Sequence, residues 1–99
     1  MENLSFADIM NKTLLIGLTY YKQDGIIDYQ RQYWGTVIKA DKELITIQKA
    51  NGETVSIPPD LRSIKPADKG EYHLLSTGEV VIDPDYTSSW SIYPKSEDQ

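Results

Sequence analysis

The apolar positions change period near residue 12. Before it, Leu4, Phe6, Ile9 and Met10 recur at near-helical spacing, Ser5 stands where an N-cap belongs, and Asp8 follows three positions on, as in a capping box. Asn11 and Lys12 interrupt the pattern. Residues 3–11 are therefore predicted as one short helix, too short to persist alone and obliged to rest on the remainder of the chain. From Thr13 onward the chain runs in short segments rich in β-branched, aliphatic and aromatic residues. Strands are predicted at 13–21, 26–40, 44–49, 53–57, 71–76, 79–82 and 88–93, with Asp24-Gly25 as the first turn. Pro58 and Pro59 cannot donate to a ladder, so 58–62 reads as a turn or a single helical turn.

Two hairpins can be specified further. A two-residue loop at Asn51-Gly52 would set Ile47 against Ser56 and Gln48 against Val55, mixing polar with apolar on both faces. A three-residue loop, Ala50-Asn51-Gly52, pairs Ile47 with Val55 and Ile45 with Ile57, with Gly52 left-handed at its last position. The same arithmetic on Ser76-Thr77-Gly78 pairs Leu74 with Val80 and Tyr72 with Ile82, with Gly78 left-handed, although a two-residue loop there also gives apolar pairs.

The two longest strands each contain one glycine, Gly17 and Gly35, which usually marks a bulge or a sharp bend. Each strand is expected to bend there, the second sharply at Trp34-Gly35, where a Cβ would be forbidden by the backbone conformation or a close approach. Trp34, beside Gly35, carries too much apolar area to leave in water and is expected to fold over a barrel end. The predicted fold is all-β with a short N-terminal helix: a small, strongly bent antiparallel β-barrel, with a flat two-sheet sandwich as the alternative. Residues 1–94 read as one domain and 95–99 as a flexible tail.

Composition narrows the function. The 99 residues suffice for one domain with one core, and 39% hydrophobic with 25% charged residues is the balance of a globular chain. The longest apolar stretches, such as Leu14-Leu15-Ile16, fall far short of the ~20 residues of a membrane helix, and the opening residues lack a basic, hydrophobic signal. A cytoplasmic location is expected. The absence of cysteine excludes disulfides, thiolate metal sites and cysteine nucleophiles. A net charge of −5 opposes broad electrostatic attraction to nucleic acid.

The helix, the bent strands after it and the run 35–44, with Gly35, an apolar Val37 two positions on and Asp41 in the next turn, resemble the Sm-like small-barrel family. The resemblance covers about residues 4–64 and implies that fold and ring-like oligomers. The RNA-contacting asparagine of that family would fall near Ile45, which cannot hydrogen-bond a base, and Pro58-Pro59 stands where its basic-glycine pair is expected. The segments at Trp34-Gly35, 61–67, 70–72 and 83–86 are also similar to a set of uncharacterised small bacterial proteins, a resemblance that implies no activity.

Candidate chemistry is sparse. His73 is the only histidine, and Tyr72-His73-Leu74 reads as a strand with the imidazole half-exposed opposite the core. The pairs Asp24/Asp28 and Asp83/Asp85 do not match a calcium loop and read as turn aspartates bonding backbone. The glycines are single and none opens a helix, so there is no phosphate cradle. The most informative segment is 29–34. Alternation sets Tyr29, Arg31 and Tyr33 on one face and Gln30, Gln32 and Trp34 on the other. Aromatics flanking an arginine suit a binding hot spot or a base-stacking platform, and equally half-buried strand tyrosines with wet hydroxyls. The expectation is a non-enzymatic module without cofactor or metal. It acts through protein–protein contact, as a homo-oligomer, with Tyr29, Arg31 and Tyr33 as the binding residues and Gly17, Trp34, Gly35, Gly52 and Gly78 as structural ones. The alternative is single-stranded RNA binding on the same face; a small enzyme built on His73 ranks third.

Overall fold

The structure, a computed structural model, describes residues 4–75 and 77–94. The helix α1 spans Phe6–Ile9 and opens on the expected reciprocal cap: Asp8 N–H donates to Ser5 Oγ at 3.3 Å, and Ser5 N–H donates to Asp8 Oδ2 at 2.9 Å. It is shorter than the predicted 3–11, whose first residue lies outside the described ones. Its end has a physical cause. Asn11 turns left-handed (φ 66°), Asn11 N–H donates to Val37 O, and Val37 N–H donates to Lys12 O, both at 2.9 Å. The sheet captures residues 11 and 12 and leaves the helix a single turn, with Ile9 inserted in the core.

The strands are β1 (Thr13–Tyr21), β2 (Ile27–Ala40), β3 (Ile45–Gln48), β4 (Thr54–Ile57), β5 (Ile64–Pro66), β6 (Glu71–His73), β7 (Val80–Ile82) and β8 (Tyr86–Ile92). A 3-10 turn at Leu61–Ser63 follows the two prolines, as the sequence indicated. Six strands form one sheet in the order β4-β3-β2-β1-β8-β5, and β6 and β7 form a separate hairpin. The chain is thus mostly β with one short helix. The sheet, however, is not closed into a barrel: its end strands are β4 and β5. Nor is it purely antiparallel, since β1 and β8 run parallel from Leu14↔Tyr86 to Tyr20↔Ile92. Asp85 fastens this pairing, its carboxylate accepting from Thr13 N–H (2.9 Å) while its own N–H donates to Thr13 O (3.1 Å). The strand β5, which sequence patterning missed, is three residues antiparallel to β8.

The three-residue hairpin is as expected, with Ile45↔Ile57, Ile47↔Val55 and Gly52 at φ 92°. The second is shifted by one residue: Tyr72 faces Val81 and His73 faces Val80. Leu74 N–H donates to Glu79 O, so the loop has four residues, of which Ser76 lies outside the described ones. Gly78 is left-handed (φ 79°) as expected. The shift leaves Ile82 outside and buries Val81, which with Leu74 and Leu15 forms a small second cluster flanked by Trp34 and Tyr72. Trp34 therefore seals this hairpin to the sheet rather than closing a barrel end. The main cluster, on the other sheet face, joins Ile9, Leu14, Ile16, Val37, Ile45, Ile47, Ile57 and Ile64. One core was expected; the sheet is covered on both faces.

A relay fixes the 3-10 turn to β8. Ser63 Oγ donates to Asp60 O (2.7 Å), so Ser88 Oγ donates to Ser63 Oγ (3.0 Å) and accepts from Trp90 Nε1 (2.9 Å). Ser88 is buried, and this chain leaves its hydroxyl satisfied.

The two strand glycines differ. A Cβ on Gly35 would meet the backbone of β3, lying 2.7 Å from Gln48 C and against Gln48 O. The strand runs through Gly35 without interruption, and the irregularity of β2 lies further on, between Val37 and Lys39. Gly17 causes no bulge either; the register of β1 holds there and slips only between Tyr20 and Tyr21. A Cβ on Gly17 would meet nothing within 4 Å.

Exposed carboxylates hold the chain ends of several elements. Backbone N–H donors from Ser5 lower the pKa of Asp8, those of Glu43 and Leu44 lower that of Asp41, and the Arg62 side chain followed by its N–H lowers that of Asp60. Groups depressed in the fold contribute stability above the ordinary carboxylate range and lose it as pH falls through their shifted values. The melting temperature is therefore expected to fall as pH drops below about 4, and Asp41→Asn to flatten that slope, as thermal melts between pH 2 and 7 check. In the same melts Gly35→Val should destabilise by well over ~1 kcal/mol although valine is the better strand former, because no side chain moves out of its way. Gly17→Ala should be neutral or stabilising by up to ~1 kcal/mol.

Candidate interaction surface

The run Leu14-Leu15-Ile16 occupies the middle strand and is buried on both faces, the expected reading of a continuous apolar segment. Beyond Ile16 burial falls off gradually: Leu18 and Trp90 still pack against the main cluster, and residues 17–21 are half-buried. The remainder of β1, the first half of β2 and the last residues of β8 continue as a three-stranded end in which residues 27–31 are all exposed. Ile26, Ile27, Tyr29 and Tyr93 keep 62%, 51%, 44% and 65% of their surface in solvent. Two ring stacks stiffen this end: Tyr20 on Tyr29 with centroids 4.4 Å apart, and Tyr21 on Tyr93 at 4.8 Å. Arg31 sits over the Tyr29 ring at 5.3 Å, a cation–π contact within one strand.

The three residues singled out from the sequence do share a face, since they oppose Tyr20, Leu18 and Ile16 in turn. Only Tyr29 and Arg31 are exposed together. Tyr33 is half-buried against the main core, with Lys49 Nζ 5.5 Å from its ring centroid. On the opposite face a groove of about 250 Å³ runs over Gly17, lined by Thr19, Gln30, Gln32, Leu75 and Ser89. Apart from Arg31 its lining is uncharged: Gln30 Nε2 donates to Thr19 Oγ1, and Leu75 N–H donates to Gln32 Oε1 at 2.8 Å. Trp34 lies further along that face, its Nε1 donating to Glu79 Oε2 at 3.3 Å. Sequence reasoning missed Ile26, Ile27, Tyr20, Tyr21 and Tyr93 as members of the surface. The β1–β2 hairpin brings Tyr20, Tyr21, Ile26 and Ile27 beside Tyr29, and the parallel β1–β8 pairing, which no local pattern signals, brings Tyr93 beside Tyr21.

The other candidates hold structure. Asp24 accepts from Ile26 N–H two residues on, whereas Asp83 and Asp85 reach Gly70 and Thr13, far along the chain. Asp41 accepts from Glu43 and Leu44 N–H, a turn within the β2–β3 link. His73 is exposed, with Nε2 3.5 Å from Glu71 Oε1. Among the described residues no group of three or more His, Asp or Glu side chains is placed to hold a metal ion, and no helix is long and apolar enough to cross a membrane.

Comparison with protein families, curated proteins and solved structures gives no match for this chain. The surface is therefore read from its own chemistry. If it is a binding surface rather than a packing element, truncating it should spare the fold. Tyr29→Ala is expected to cost no more than about 1 kcal/mol in urea unfolding, the worth of one aromatic pair. Leu74→Ala, which empties the second cluster, should cost about 2–5 kcal/mol.

Proposed function

We propose that this chain is a non-enzymatic β module of the cytoplasm that works through protein–protein contact and associates with itself. The observation that carries the reading is the exposed apolar end: Ile26, Ile27, Tyr29 and Tyr93 crowd one extremity of a chain whose other large aliphatic side chains are mostly packed. Preformed Tyr20–Tyr29 and Tyr21–Tyr93 stacks lose little rotamer freedom on contact, which favours them as anchors. An Sm-like relationship is supported by the order of a short helix followed by β1 to β4 as successive antiparallel neighbours, and by the close approach of β3 to Gly35. The acidic, cysteine-free composition fits a reducing compartment.

A second reading has its own support. The Tyr29 ring with Arg31 above it offers a stacking position for an unpaired base. The excess of acidic residues weighs against it.

Sedimentation equilibrium from low to high micromolar concentration distinguishes the two. The apparent mass is expected to rise towards a multiple of the chain mass, and Ile27→Ala with Tyr29→Ala to weaken association by about tenfold or more, the effect of losing a hot spot. A monomer throughout overturns self-association. Labelled oligo-U and oligo-A titrated at low salt should not bind; binding that Arg31→Ala abolishes would establish the nucleic-acid reading instead.

A further inference from the structure

Four of the seven tyrosines stand ring on ring in two pairs. Tyr20 and Tyr29 are direct cross-strand partners in the β1–β2 ladder, with ring centroids 4.4 Å apart and planes 14° from parallel. Tyr21 and Tyr93 follow the last pair of the parallel β1–β8 ladder, Tyr20↔Ile92, and stack at 4.8 Å and 11°. Rings at these separations are in van der Waals contact, and the strand pairing holds them there. Arg31 over the Tyr29 ring at 5.3 Å restrains the first pair further. The other three tyrosines have different neighbours. Tyr33 lies against the main core beside Lys49, Tyr86 packs on that core, and Tyr72 donates its phenol O–H to Asp68 O at 2.7 Å. The chain has no cysteine, so no thiol of its own stands by to quench a radical formed on a phenol.

We infer that the two stacks are sites of oxidative cross-linking within one chain, the modifying agent being a one-electron oxidant. Each of two oxidant equivalents takes one electron from a phenol of the pair, and that phenol releases its O–H proton to water. The two tyrosyl radicals carry unpaired density on the ring carbons ortho to oxygen, and one such carbon from each ring joins in a new carbon–carbon bond. The hydrogen on each coupled carbon then passes through solvent to the oxygen, restoring both phenols. Over the whole step two electrons go to the oxidant, two protons go to water, and a biaryl bond replaces two ring C–H bonds. Preformed contact selects these tyrosines. Partners already in contact react as an intramolecular pair, at an effective concentration that separate chains in micromolar solution do not reach. The Tyr20–Tyr29 bond ties the β1–β2 hairpin across its ladder. The Tyr21–Tyr93 bond joins residues far apart in sequence and closes a long loop, the constraint that a disulfide supplies in chains with cysteine. Both partners of each bond belong to one chain, so the inference does not depend on self-association.

The test is photo-oxidation of the full chain at low micromolar concentration by ruthenium(III) tris-bipyridine, generated with light and persulfate, in buffer and in concentrated urea. In buffer the expected product fluoresces as dityrosine, stays monomeric on a denaturing gel and has lost two hydrogens per bond. Peptide mapping should join Tyr20 to Tyr29 and Tyr21 to Tyr93. In urea the yield of both links should fall about tenfold or more, because the contact is lost. Tyr29→Phe keeps a ring in the stack without its phenol; it should remove the first link and spare the second, and Tyr93→Phe should do the reverse. The link that survives in each variant also reports that the sheet end is still folded. Links that join Tyr33, Tyr72 or Tyr86 instead, a yield unchanged by urea, or no coupling at all overturn the inference. Links found only between chains overturn it as well, while favouring self-association through this end. Both internal links in a chain that sediments as a monomer uphold the inference while self-association fails.

Discussion

The burial of Leu14, Leu15 and Ile16 on both faces of β1 is the constraint on which the other elements depend. A strand covered on one side needs alternation; a strand covered on both needs an apolar run and two partners. Leu14 and Ile16 reach the main cluster, where α1 contributes Ile9 and the β3–β4 hairpin contributes Ile45, Ile47 and Ile57. Leu15 reaches the other way, to Leu74 and Val81, and with Trp34 gives the β6–β7 hairpin its apolar contact with the sheet. Each fully buried aliphatic side chain is worth about 1.5–3 kcal/mol, so the three central residues and their contacts are a large share of a marginal total. Past Gly17 burial falls away along β1, with Leu18 and Trp90 the last side chains packed against the main cluster. The exposed three-stranded extremity follows from that.

The close approach at Gly35 sets the second boundary. Because β3 comes against β2 there, β3 pairs with β2 from Thr36 to Ala40. β2 thus joins the core ladder with β3 only in its second half. The exposed Tyr29 and Tyr93 lie at the end of the sheet that β3 does not reach.

Much of the local structure was legible. The Ser5/Asp8 capping box, the three-residue loop ending on Gly52, the turn after Pro58-Pro59 and the shared face of Tyr29, Arg31 and Tyr33 are all settled within a few residues. In each, the wrong alternative loses a hydrogen bond or turns an apolar side chain to water. The second hairpin was misread by one residue because Thr77-Gly78 allows several loops with apolar pairs. Contact with Leu15 and Trp34 chose the one that buries Val81 and leaves Ile82 in solvent. At Gly17 the ladder register holds and there is no bulge; a glycine in a strand pattern does not by itself say which of its uses applies.

The sequence alone therefore determined the all-β class, the single short helix, most strand positions and the alternation that presents Tyr29 with Arg31. Those features depend on side-chain period and turn chemistry, which act over a few residues. Only the tertiary structure decided that β8 runs parallel to β1, that the sheet stays open, that both its faces are covered and that Tyr93 arrives beside Tyr21. The parallel pairing joins segments some seventy residues apart, held by Asp85 on Thr13 and by burial of Ser88 beside Trp90. No short-range pattern encodes a contact that exists only once the intervening chain has packed.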